Sequence, residues 1–83
     1  MKLKYLLYDN IGWYGIQITK ILRNNRIMYH IGTSSTDINL INKEIDIINP
    51  SHIVTFRKIN IEIDDKKYKR TDINKNISVY KII

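Results

Sequence analysis

The sequence predicts an α/β fold in which a βαβαβ unit with a three-stranded parallel core is followed by a short C-terminal β-rich tail. Over residues 1–56, short segments rich in aromatic and branched side chains alternate with segments of helical periodicity, and the loops between them are short. Such alternation is typical of parallel sheets with right-handed crossovers. A length of 83 residues predicts one domain with a small core.

Five elements are expected in residues 1–56. They are a strand over Lys2–Tyr8, a helix over Gly12–Asn24, a strand over Arg26–Ile31, a helix that Asp37 caps and Pro50 closes, and a strand over His52–Phe56. In the strand order usual for such units, the first strand lies between the second and the third.

The sequence of the tail, residues 57–83, predicts a basic β-hairpin that packs on the same domain. Its expected strands are Asn60–Ile63 and Lys67–Arg70 around a turn at Asp64-Asp65-Lys66, while Asn76–Ile83 fits either a last strand or a short helix. The third strand would otherwise be an exposed sheet edge, and such edges tend to pair. We expect either that the tail folds back over this edge or that two chains pair there, which predicts a homo-oligomer.

Composition excludes several classes of protein. The absence of cysteine rules out disulfides, thiolate metal sites and cysteine nucleophiles. No apolar segment is long enough to span a membrane, and the apolar run near the N-terminus is too short for a signal peptide. We therefore expect an intracellular protein without a membrane partner.

The net charge of +6 arises mostly from the tail. Basic side chains interleaved with an aromatic ring are typical of surfaces that bind nucleic acid or an acidic protein. The alternative is an ordinary solvated surface, because Asp64, Asp65 and Asp72 interrupt the basic run. The candidate residues of this surface are Arg57, Lys58, Lys66, Lys67, Tyr68, Lys69 and Arg70.

The turn after the first strand contains a glycine pattern. A dinucleotide-binding turn needs three small residues, which allow a tight turn, close approach of the pyrophosphate and close packing of the helix. Here the second and third positions are Gly12 and Gly15, but the first is Asp9. Aspartate tolerates a left-handed backbone, so the turn can survive. A carboxylate near a pyrophosphate is repelled, so cofactor affinity should be low.

A wider set of residues carries a family resemblance. Tyr8, Gly12, Trp13, Gly15 and Gln17, then Ile31-Gly32-Thr33-Ser34, and then Glu44-Ile45 with Asn49-Pro50-Ser51-His52-Ile53-Val54 resemble the N-terminal part of extended short-chain dehydrogenases. These are the NAD(P)-dependent nucleotide-sugar epimerase/reductases of the rhamnose-synthesis type, including members from large DNA viruses. The resemblance implies a truncated Rossmann-like unit. Its cofactor contacts would be Asp9, Gly12, Trp13, Gly15, Thr33 and Ser34.

The departures from that family are equally informative. The family's arginine after the second strand is replaced within Thr33-Ser34-Ser35, and its small residues after the third strand are Phe56-Arg57-Lys58, whose bulk would crowd a cofactor. The catalytic Tyr-x-x-x-Lys has no counterpart in these 83 residues, since Tyr80 and Lys81 are adjacent. We therefore expect no catalytic residues and no required cofactor.

Three functions follow. The leading one is a non-catalytic remnant of an epimerase/reductase that acts as a binding or interaction module. The alternatives are a residual NAD(P)-binding protein or subunit of low affinity, and a small basic protein that binds nucleic acid or a host target.

Other candidate chemistry is weaker. Without cysteine or grouped acidic residues, His30 and His52 are expected to be half-buried, locally hydrogen-bonded imidazoles rather than metal ligands. Asp64-Asp65 fits a turn better than an acid/base pair, and Ser34-Ser35 has no nearby base. Trp13 is expected to anchor on the core.

Overall fold

The computed structural model describes residues 2–9, 12–33, 37–56 and 67–83. These ranges form five strands and two helices. In chain order they are β1 (Lys4–Tyr8), α1 (Trp13–Asn24), β2 (Met28–Ile31), α2 (Ile38–Ile48), β3 (His52–Thr55), β4 (Tyr68–Asp72) and β5 (Ser78–Ile82). Each element predicted within residues 1–56 is present near its expected position.

The strands form one mixed five-stranded sheet with the order β2-β1-β3-β5-β4. β1 pairs in parallel with both β2 and β3, so the predicted central position of the first strand is confirmed. The parallel strands are only part of the sheet, because β5 adds to β3 in the antiparallel sense and β4 adds to β5. The protein is thus a small α/β domain with a mixed sheet.

The described part of the tail forms a hairpin of β4 and β5, a pairing that was not predicted. β4 pairs with β5, and the Oδ1 atom of Asn74 accepts hydrogen bonds from the backbone N–H groups of Asn76 and Ile77 in the connecting turn. The interval Asn76–Ile83 therefore contains a strand. The expected strand Asn60–Ile63 and the expected turn at Asp64-Asp65-Lys66 lie outside the described residues.

The edge of β3 is covered by the tail, as one of the two alternatives predicted. Val54 of β3 lies opposite Val79 of β5, and the backbone N–H of Ile82 continues the contact by donating to the carbonyl of Ser51. Pairing of two chains through the β3 edge is therefore a wrong prediction, because the backbone groups of that edge are already used. The outer strands of the described sheet are β2 and β4.

The two helices lie on opposite faces of the sheet. Ile41 and Ile45 of α2 pack in one buried cluster with Leu6, Tyr8 and Ile53, which also contains Tyr68 and Tyr80. Leu22 of α1 packs in a second cluster with Leu7, Val54 and Ile77. Because Leu6 and Leu7 are neighbours on β1, their side chains point to opposite faces. Both faces of β1 are thereby buried.

The ends of α2 follow the predicted signals. The side chain of Asp37 accepts a hydrogen bond from the backbone N–H of Asn39 at 2.9 Å, which is the expected N-cap. Asn49 ends the helix with a left-handed backbone, φ 50°, directly before Pro50. No helix of the described residues is both long and apolar enough to cross a membrane.

Candidate functional site at the carboxyl ends of the parallel strands

The glycine turn joins β1 to α1 at the point where the chain order of the parallel strands reverses. Gly12 is the N-cap residue of α1 and has a φ of 103°, a conformation that other residues rarely adopt. Asp9 has a φ of 56°, so the predicted left-handed turn at this position is confirmed. Gly15 is buried in α1. Asp9 and Gly12 thus both have positive φ angles, and Gly15 lies on the buried side of α1.

The first turn of α1, from Gly12 onward, has neither a capping side chain nor an acidic one. The first N–H groups of a helix lack intrahelical partners and present a partial positive charge. Such an end can accept an anion, as dinucleotide-binding folds do.

Trp13 and Tyr14 begin α1 and are both exposed. Their side chains are 67% and 57% accessible, and their rings meet edge to face with centroids 5.0 Å apart. The prediction that Trp13 anchors on the core is therefore wrong. Gly15 and Leu22 lie on the side of α1 that faces the sheet, so Trp13 points away from the sheet.

Glu44 organises the neighbouring loop. One carboxylate oxygen, Oε1, accepts a hydrogen bond of 2.7 Å from the Tyr8 hydroxyl and one of 3.0 Å from the backbone N–H of Thr33. Burial raises the pKa of Tyr8, and the hydrogen bond and charge of Glu44 raise it further. The tyrosine therefore stays protonated and donates, and α2 is tied to the ends of β1 and β2.

Gly32 is held closely under the ring of Tyr8. A Cβ atom added at Gly32 would lie 2.2 Å from a ring carbon of Tyr8, and the backbone N–H of Gly32 donates to the carbonyl of Leu7 at 2.7 Å. The glycine of the Ile31-Gly32-Thr33 stretch is thus required by packing. The N–H of Thr33, a residue that the resemblance implies as a cofactor contact, is already bonded to Glu44.

Phe56 is the only one of the three bulky residues expected after β3 that lies within the described residues. Its half-buried side chain packs against the α1-side cluster of Leu7, Leu22 and Val54, and its N–H donates to the carbonyl of Tyr8. An aromatic ring therefore lies on the α1 side near the carboxyl end of the sheet. Arg57, Lys58 and Ser34, which were also predicted as site residues, lie outside the described residues, as does Lys66.

The four residues of the predicted basic surface that the structure describes, Lys67 to Arg70, do not lie on one surface. Tyr68, the predicted stacking ring, is only 2% exposed, and its hydroxyl donates to the carbonyl of Pro50 at 3.0 Å. That prediction is wrong, since β5 enters the sheet between β3 and β4 and Tyr68 packs in the α2-side cluster. Lys69 and Arg70 are successive residues of a strand and point to opposite faces. Lys67 contacts Asn49, with 3.3 Å between Nζ and Oδ1.

A row across the sheet was not expected from the sequence. Tyr5, His52, Lys81 and Lys69 are successive cross-strand neighbours on β1, β3, β5 and β4. The rings of Tyr5 and His52 stack with centroids 4.5 Å apart. Lys69 and Lys81 are directly opposite each other, an arrangement of like charges that is unfavourable without a counter-ion. Only the strand register, which the sequence does not reveal, brings these residues together.

His52 is a structural imidazole. Its Nδ1 atom lies 2.9 Å from the Ser51 hydroxyl oxygen, and that hydroxyl donates its proton to the carbonyl of Lys4. Burial, and secondarily the charge of Lys81, lowers the pKa of His52. The expected half-buried, locally bonded histidine is confirmed here, whereas His30 is exposed. Among the described residues, no group of three histidine or acidic side chains is placed to hold a metal ion.

No protein-family model matches the sequence, and a search of curated proteins finds no match. The resemblance to epimerase/reductases therefore rests on the residues quoted above.

Proposed function

We propose that this protein is a non-catalytic binding module, a remnant of the dinucleotide-binding part of a nucleotide-sugar epimerase/reductase. The observation that carries the proposal is the exposed pair Trp13 and Tyr14 beside the glycine turn. Asp9 and Gly12 have positive φ angles, and the start of α1 next to them exposes two aromatic side chains. We propose that the binding partner of this module is another protein.

The aromatic pair suits an interface. Exposed tryptophan and tyrosine supply large contact area with few rotatable bonds, and they are enriched among the residues that dominate binding energy. Ile21, 57% exposed, lies on the same side of α1 as Tyr14, seven positions along the helix. The surface therefore extends along α1.

The local geometry disfavours the family's chemistry. Tyr80 is buried in the α2-side cluster, whereas the adjacent Lys81 is exposed on the opposite face. Neither can assist the other in proton transfer. The N–H of Thr33, an implied cofactor contact, already donates to Glu44. These contacts support binding without catalysis.

The test is affinity capture from the native source with mass spectrometry, comparing the wild type with Trp13→Ser. The matched control is Ile47→Ser, which removes a 74% exposed apolar side chain from the other helix. We expect a partner that the wild type and Ile47→Ser retain and Trp13→Ser loses. A capture profile that does not change with Trp13→Ser would reject the proposal.

A residual dinucleotide site is the second candidate, and the conformation of Gly12 and the uncapped start of α1 favour it. Trp13 is the only tryptophan of the chain, so its fluorescence reports directly on this end of the helix. Titration with NADH and NADPH should change its emission if a cofactor lies over the turn. No change up to millimolar cofactor eliminates this candidate and leaves the first untouched.

Nucleic-acid binding is the third candidate. It is supported by the directly opposed Lys69 and Lys81, which concentrate positive charge on one face of the sheet next to the Tyr5–His52 stack. The buried Tyr68 takes no part in it.

A further inference from the structure

The two outer strands of the sheet differ in chemistry. β4 carries Lys69, Arg70 and Asp72, and charged side chains are a usual protection of a sheet edge against pairing. β2 has the sequence Met-Tyr-His-Ile, with no charged residue, proline or glycine. Its Met28 and Ile31 side chains are 45% and 53% exposed. Of the two described edges, only β2 is unprotected.

The ladder between β1 and β2 determines which backbone groups of β2 face outward. The N–H of Gly32 donates to the carbonyl of Leu7. In a parallel ladder alternate residues bond to the same neighbour, so Met28, His30 and Gly32 face β1. The N–H and C=O groups of Tyr29 and Ile31 therefore point away from the sheet. No strand of the described residues lies on that side.

We infer that a second copy of this chain pairs with β2, antiparallel, about a two-fold axis at His30. In this register Tyr29 exchanges two hydrogen bonds with Ile31 of the other copy, and the reverse pair is identical by symmetry. All four outward groups are then satisfied. A symmetry axis at Tyr29 would pair Ile31 with Ile27, whose N–H is already bonded to the carbonyl of Leu22. An axis at Ile31 would pair Tyr29 with Thr33, whose N–H is already bonded to Glu44. Either axis would therefore satisfy fewer of the outward backbone groups.

The side chains agree with this register. Tyr29 and Ile31 share one face of β2, so each aromatic ring lies beside a branched side chain of the other copy, which is a favourable cross-strand pair. His30 lies opposite itself in the pair that exchanges no hydrogen bonds, the arrangement with the closest Cα atoms. The absence of charge on β2 matters because each chain carries +6. Added salt should therefore strengthen the dimer.

The chain has no cysteine, so one introduced thiol reports on the register. In a two-fold dimer centred on His30, His30→Cys brings two thiols within disulfide distance. Met28→Cys is the matched control, because it is exposed on the same strand and the same face. Its two copies would lie about 14 Å apart at a rise of about 3.4 Å per residue, too far to bridge.

The experiment compares oxidative cross-linking of the two variants, native and in urea, with sedimentation of the wild type. We expect a wild-type dimer, and native His30→Cys cross-linking at least about tenfold faster than Met28→Cys, with equal rates in urea. Ile31→Lys should sediment as a folded monomer, whereas Ile47→Lys on α2 should remain dimeric.

A monomeric wild type at every accessible concentration, or equal cross-linking of both native variants, would overturn the inference. Preferential cross-linking of Met28→Cys would reject the His30 register. A wild type that pairs only with a strand of another protein would reject the second copy as occupant. The dimer is independent of the proposed partner of Trp13, since Trp13→Ser leaves β2 intact.

Discussion

The hydroxyl of Tyr8 donates a 2.7 Å hydrogen bond to Glu44, a residue 36 positions later in the chain. Through the same carboxylate oxygen, Glu44 holds the backbone of Thr33. One side chain of α2 thus fixes the carboxyl ends of β1 and β2 next to the glycine turn. A surface built on this end of the sheet depends on that contact for its shape.

Tyr8→Phe should destabilise the protein by about 1–3 kcal/mol, because it removes a hydrogen bond to a charged group while the ring, 1% exposed, stays buried. Urea unfolding followed by circular dichroism measures the free energy of unfolding. Tyr14→Phe is the control, since its ring is 57% exposed and should change stability little. Equal effects of the two changes would show that the Tyr8–Glu44 bond contributes nothing net.

Gly32→Ala should also destabilise, by about 1–3 kcal/mol, because its Cβ would meet the ring of Tyr8 at 2.2 Å. Replacing the aromatic ring with a smaller side chain, Tyr8→Leu, should reduce the loss of stability caused by Gly32→Ala in a double-mutant cycle. At Gly12, no atom lies within 4 Å of an added Cβ, so the cost of Gly12→Ala comes from its φ of 103°. Tyr8→Leu should leave the cost of Gly12→Ala unchanged. If Tyr8→Leu also left the cost of Gly32→Ala unchanged, contact with the Tyr8 ring would not be its cause.

His52 should make stability fall on mild acidification. Its pKa is lowered in the folded state from the ordinary 6.5, so below that pH the unfolded chain takes up a proton that the folded protein resists. Stability is therefore fully present above pH 6.5 and decreases as the pH falls from there towards the folded-state pKa. Urea midpoints between pH 7.5 and 5.5 should show this slope, and His52→Gln should flatten it.

The charge of Lys81 should contribute to that behaviour. An NMR titration of the His52 ring should give a midpoint below 6.5, and Lys81→Gln should move it upward. Lys20→Gln, on α1, is the control and should leave it in place. An unchanged midpoint in Lys81→Gln would assign the whole shift to burial.

If the protein binds nucleic acid, Lys69→Gln and Lys81→Gln should each weaken binding of a single-stranded oligonucleotide. Each substitution should also lower the slope of log affinity against log salt by about one. Lys43→Gln, an exposed position on α2, removes the same charge as a control. Equal losses of affinity in all three variants would indicate that the net charge of the protein, and not the pair Lys69 and Lys81, determines binding. Fluorescence anisotropy at several salt concentrations measures both quantities.

Local sequence signals predicted the first three strands, both helices and the Asp37 cap of α2, because periodicity and capping act over a few residues. The same applies to the turn at Asp9, Gly12 and Gly15, where backbone conformation depends on the residue itself. The tail was predicted less well. The pairing of β5 with both β3 and β4 was not predicted, since strand pairing depends on contacts between residues far apart in the chain.

The sequence by itself determined the alternation of strands and helices, the glycine turn and the excess of positive charge. Only the tertiary structure decided what those residues face. Insertion of β5 beside β3 covers the expected edge and places Tyr68 in the α2-side cluster, while α1 turns Trp13 outward. Burial is a property of the assembled sheet, so neither aromatic side chain could be assigned from its neighbours in the sequence.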